Sequence, residues 1–187
     1  MPSSLKVKLC TVIASALVLT GCLVSEDPIL TASNGSATPI APGAYIMCPL
    51  SDDADEEDCE AFTIEHDTSG LYNFIKEDEE PTQMRFRRIG HRGFAVQLSE
   101  DDGYMYYYGA GNSNRFQLIM MMCSDLPEKM RARLIARGDL ETEDDDFESC
   151  AVKTIKGLTN AAWAYHRGKT NSNEENSALE FTPVSVE

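Results

Sequence analysis

The chain has 187 residues, a length that builds one full hydrophobic core without help from metal or disulfide staples. It sets 16 Lys and Arg against 31 Asp and Glu, a formal charge of −15 at pH 7. So acidic a surface repels nucleic acid and anionic lipid surfaces alike, which argues against both and favours solubility, divalent or basic partners, or nothing specific.

In chain order, Lys6 and Lys8 precede a charge-free apolar run over residues 9–19, too short to span a bilayer as a lasting helix. The run ends in Leu19-Thr20-Gly21-Cys22. This tetrapeptide resembles the lipobox of bacterial lipoprotein precursors: a branched apolar residue, two small residues, then Cys. The order suits the chemistry, because a thiol is presented for thioether attachment while small neighbours let a peptidase reach the backbone. The resemblance covers residues 1–22 only. It implies removal of residues 1–21 as a signal peptide, a diacylglycerol on Cys22 and a further acyl chain such as palmitate on its amine. One chain anchors marginally, at about 0.8 kcal/mol per buried CH2, so two or three are needed. In such lipoproteins Asp after the Cys resembles an inner-membrane retention signal; Leu23 stands here, which implies the outer membrane, facing the periplasm. The competing readings are an ordinary secretory signal with an incidental Cys, and a retained transmembrane helix.

Cys10 leaves with the signal and Cys22 is taken by lipid, so Cys48, Cys59, Cys123 and Cys150 remain. An even number in an oxidising compartment predicts two disulfides with three possible connectivities. Cys48–Cys59 and Cys123–Cys150 are favoured, since nearest partners in the chain meet most readily. No CxxC pair or zinc spacing occurs, so no metal is expected.

Residues 22–43 are rich in Pro, Ser and small residues and read as a flexible tether, ahead of a single globular domain over 44–170. Residues 51–58, between Cys48 and Cys59, are crowded with carboxylates. Calcium wants such oxygens, but the Gly and terminal Glu of an EF-hand are missing, so a solvated acidic loop is expected. From Phe62 onward, short apolar and aromatic runs recur about every ten residues, separated by turn residues. They occupy residues 62–66, 71–76, 84–89, 94–98, 104–108 and 115–122. With Tyr45-Ile46 they predict a mainly β (α+β) fold, an antiparallel meander of about seven strands in a curled sheet or small barrel. Phe94, Val96 and Leu98 make one face of their strand apolar. Residues 116–122 are apolar on both faces, which predicts a cover, helical and next in the chain.

Asp125 as N-cap, with Pro127 and Glu128, opens a helix carrying Met130, Leu134 and Ile135 on one face and stopping at Gly138. Residues 139–146 are an acidic loop and 147–154 a last strand, carrying Cys150 back to Cys123. Ile155, Leu158, Ala161, Ala162 and Tyr165 then recur at helical spacing, with Trp163 and His166 beside the stripe and Gly168 as its stop. One or two helices are therefore expected to pack on the sheet. Residues 171–187 read as a loose tail in which only Leu179-Glu180-Phe181 adds a short edge strand.

Catalytic patterns are missing. His66, His91 and His166 fall on three different elements, and no GxSxG, SxxK or Cys-His-Asn arrangement occurs, so neither an enzyme nor a cofactor is expected. Arg85, Arg87 and Arg88 form the one basic cluster. They are candidate contacts for a phosphate, a lipid head group or an acidic partner, against the alternative that they point outward from a strand whose Phe86 points in. Tyr104, Tyr106 and Tyr108 are candidates for an aromatic pocket, against simple packing. Residues 120–122, three methionines, suggest copper only weakly, because alternate residues of a strand face opposite ways. The expected function is a non-enzymatic role in the cell envelope, anchored through the diacylglycerol and meeting an envelope protein. A barrel binding a small apolar ligand is the alternative, recognisable by an interior cavity of about 300 Å3 or more. A protease-inhibitor-like barrel, requiring an exposed N-terminal segment, is a third.

Overall fold

Strand alternation predicts which side chains face inward, and closure decides what inward means. In the computed structural model, which describes residues 21–50, 56–77, 79–142, 149–170 and 178–184, the sheet curls until β6 pairs with β7. The meander strands are β2 (Gly43–Pro49), β3 (Glu60–His66), β4 (Leu71–Ile75), β5 (Thr82–Gly90), β6 (Gly93–Glu100), β7 (Gly103–Asn112) and β8 (Arg115–Met120). An eighth strand, β11 (Ala178–Pro183), lies antiparallel between β2 and β8, giving a closed eight-stranded barrel. The loose tail expected over 171–187 is corrected for its described part. Phe181 is fully buried and meets Phe74 edge-on at 5.6 Å, so this short segment is an interior stave rather than an edge.

Alternate residues fill the barrel. Ile64, Tyr72, Phe74, Met84, Phe86, Phe94, Val96, Phe116 and Leu118 form one interior cluster with Phe181. Phe86 stands at its centre, with ring centroids of Tyr72 at 4.8 Å, Phe116 at 5.7 Å and Phe94 at 6.5 Å, all edge-to-face. That geometry sets positive ring edges on negative faces, worth about 0.5–1.5 kcal/mol per pair beyond area burial. On the same strands Thr63, Glu65, Asn73, Gln83, Arg85 and Arg87 face outward, beside the apolar Leu71, Ile75 and Ile89.

The expected tether is also corrected. Leu23–Ser25 is a strand, β1, parallel to β10 (Cys150–Val152) and antiparallel to β7. Leu30 is buried, its amide donating to Gln97 Oε1 at 2.7 Å and its carbonyl accepting from Gln97 Nε2. Ser36 pairs with Phe86 beyond the point where β4 stops at Leu71, and Tyr72 OH donates to the carbonyl of buried Ile40 at 2.7 Å. Average composition described the segment as loose; a few spaced apolar residues, each with a hydrogen-bonded backbone, strap it to the wall.

A second cluster lies outside the barrel. Helix α2 (Ile155–His166) crosses β5, β6 and β7 and buries Leu158, Ala161, Ala162 and Tyr165. Thr154 caps it by accepting from the Gly157 amide at 3.0 Å. The helix next after β8, α1 (Glu128–Ala136), packs instead against the short strand β9 (Leu140–Glu141), which falls in the expected acidic loop. Asp125 does not cap α1; its carboxylate accepts from Tyr165 OH at 2.9 Å. Cys48–Cys59 and Cys123–Cys150 are the two disulfides, and the second ties β10 to the segment after β8. The acidic residues 51–55 and the start of the expected last strand, 147–148, lie outside the described residues.

Phe86→Ala should cost about 3–5 kcal/mol of unfolding free energy in urea titration, the range for truncating a packed aromatic. A cost below about 1 kcal/mol would mean that the interior is not closely packed there.

Candidate functional site

The tyrosines of β7 show how this sheet divides its faces. Tyr107 points into the barrel, while Tyr104, Tyr106 and Tyr108 point outward beneath β1 and α2. Tyr106 is fully buried, its hydroxyl 2.6 Å from Ser25 Oγ. Tyr108 stacks on Tyr165 and sets its hydroxyl 2.9 Å from His166 Nδ1. Burial pushes the Tyr106 and Tyr107 hydroxyls up to about 12, so both remain neutral. Of the three candidates for a pocket, only half-buried Tyr104 reaches a hollow; the other two join the wall to its straps.

Two of the three arginines are committed to backbone. Arg85 Nη1 donates to the Ser69 carbonyl at 3.1 Å, and Arg87 Nη1 to the Asn34 carbonyl at 2.9 Å. Arg87 Nε is buried without a partner among the described residues. At the bulge between Arg88 and Gly90, Arg88 lies over the Phe94 ring, 5.0 Å from its centroid. None of the three forms an ion pair among the described residues. Arg85 fastens the turn after β3, and Arg87 the N-terminal segment, to β5.

His166 occupies a seat that the three histidines' spacing did not reveal. Its ring lies against the β5–β6 turn, where a Cβ on Gly90 or Gly93 would collide with the imidazole. Trp163 meets it edge-on at 5.0 Å and itself carries Arg167 over its face at 4.8 Å. Two glycines bracketing a two-residue turn were the available signal, because a hairpin needs at most one or two special positions and close approach explains the others. Elsewhere His66 Nδ1 lies 3.3 Å from the Asp67 carbonyl oxygen. No cluster of three or more metal-ligating side chains exists among the described residues.

Cys22 extends β1 by one bridge, to Met122. It is 4% exposed, and its thiol donates to Met120 Sδ at 3.1 Å. Burial raises its pKa, so it stays a thiol.

Among the described residues a groove opens beside the filled interior, where β1 and β10 carry the sheet past the end of β8. The groove, of about 710 Å3, runs across β7, β1 and β10, lined by Val24, Met105, Ala151, Glu26, Glu100 and Glu141 among others. A smaller hollow of about 290 Å3 lies between residues 28–32 and the β4–β6 wall. The groove was not legible beforehand because it requires β1, which the sequence assigned to a tether. No protein-family model, curated protein or solved structure matches the chain.

Gly93→Ala should push His166 off the turn and destabilise the protein by about 1–3 kcal/mol, the usual cost of overpacking. Chemical denaturation measures it, and an unchanged midpoint would show that His166 is not seated on the hairpin.

Proposed function

We propose that this is a lipid-anchored protein of the bacterial cell envelope, on the outer membrane and facing the periplasm, whose barrel is a solid scaffold that meets a protein partner through a face of its sheet. The carrying observation is the filled interior: the ring cluster around Phe86 occupies the space a ligand-binding barrel would leave open. The same observation weighs against an apolar ligand held inside, although the barrel architecture as such is compatible with one. The segment that a protease inhibitor would extend toward a cleft is strapped to the wall at Leu30 and Ile40.

Anchoring is supported by Leu19-Thr20-Gly21-Cys22 and by two disulfides, which persist in oxidising compartments. Charged and polar side chains such as Glu65, Gln83, Arg85 and Arg87 interrupt the outward face of β3–β5, unlike the apolar lipid face of a membrane-spanning barrel. Among the described residues no helix is long and apolar enough to cross a membrane. The lipobox-like tetrapeptide is what supports attachment through the lipid. Acyl chains on the sulfur do not fit a seat closed by Met120, so acylation turns Cys22 out of that seat while Leu23 and Val24 keep their pairings with β10 and β7.

Intact mass of membrane-extracted protein tests the anchor. The expected mass starts at Cys22, carries acyl chains and gains four hydrogens on reduction, and Cys22→Ala releases the protein from the membrane. An unmodified Cys22, or cleavage elsewhere, contradicts the reading.

A further inference from the structure

The groove has a floor and a rim of opposite character. Register places Met105 of β7, Val24 of β1, Ala151 of β10 and Glu141 of β9 in one line across four strands. They share one face, while Leu23, Cys150, Val152 and Leu140 turn to the other and join the cluster around α2. Val24, Met105 and Ala151 are only half-buried. They form an apolar shelf on which neither helix packs.

Carboxylates close both ends of this shelf. Glu141 stands at the β9 end and holds Lys153 at 2.7 Å. Glu26 and Asp27 follow β1, and Glu100 and Asp102 flank the β6–β7 turn; all four are exposed and none forms an ion pair among the described residues. Partial burial and the neighbouring Asp101 raise the pKa of Glu100, as expected where no cation compensates it. A shelf of this shape takes aliphatic side chains, and its rim attracts positive charge. An acyl chain would satisfy the floor and leave the rim unanswered; a small polyamine would do the reverse.

We propose that the groove binds a cationic peptide segment of a partner protein, with an aliphatic side chain on Val24, Met105 and Ala151 and Lys or Arg side chains on Glu26, Glu100 and Asp102. This rests on reading the domain as an interaction module and names the chemistry of its partner. Such pairs at an exposed rim are screened by salt and steer association, while the apolar shelf sets register along the peptide.

Fluorescence anisotropy with a labelled Lys-Val-Arg-Val-Lys peptide and the full chain in neutral detergent tests it. The expected result is saturable binding that weakens about tenfold or more in Glu26→Gln/Glu100→Gln/Asp102→Asn, and comparably in Val24→Glu. An acidic Glu-Val-Glu-Val-Glu peptide should not bind. Unchanged affinity in the triple variant, with its melting temperature preserved, overturns the proposal, as does equal binding of the acidic peptide. Binding by Cys22→Ala but not by the acylated protein also overturns it, because the groove would then hold the protein's own acyl chain. The mass of the same preparation reports anchoring independently, so a groove that binds nothing leaves the anchor reading standing.

Discussion

The edge-to-face packing of Phe86 against Tyr72, Phe94 and Phe116 is the contact on which the rest of this molecule depends. The four rings come from β5, β4, β6 and β8, so each holds a different stave against a common centre. A barrel of eight strands has an interior just wide enough for side chains to fill or for one small ligand. Here aromatic side chains from four staves take up that volume. The groove lies beside that filled volume, where β1 and β10 extend the sheet.

Three segments complete the wall, and each replaces a missing hydrogen-bonding partner. β11 fills the gap between β2 and β8 and brings Phe181 inside. Residues 36–37 take the side of β5 left open when β4 ends, with the Ala37 amide donating to the Phe86 carbonyl at 3.0 Å. β1 does the same for β7 beyond the end of its β8 ladder and leads on to β10 and β9. Open strand edges invite pairing with other chains, and covering them is the usual remedy. The groove follows from that remedy, since adding β1 and β10 extends the sheet past the barrel and leaves one new face uncovered by a helix.

The meander from Tyr45 to Met120, the two helices and the nearest-neighbour disulfides were all legible in the sequence, because period-two and period-3.6 patterns are local. The burial of Ile119 on the outward side of β8 was legible too, through the largely apolar run at residues 116–122, although α2 crosses β5, β6 and β7 and α1 packs on β9. What escaped was non-local. Leu23, Leu30 and Ile40 are too sparse to show a period, and Phe181 sits in a strand whose partners lie far away in the chain. Arg85 and Arg87 resembled a ligand site because charge is visible in a sequence while the Ser69 and Asn34 carbonyls they bind are not. The groove needed register across four strands, which no single segment contains.

The central claim is that the barrel closes through β11 around a solid aromatic interior. Hydrogen–deuterium exchange of the native protein tests it most directly, read on peptides covering residues 178–184 beside those covering β2 and β8. Closure predicts that the amides of β11 are protected as strongly as those of its two neighbours, since all three share one ladder. Exchange of residues 178–184 within seconds, while β2 and β8 stay protected, would contradict the closed barrel.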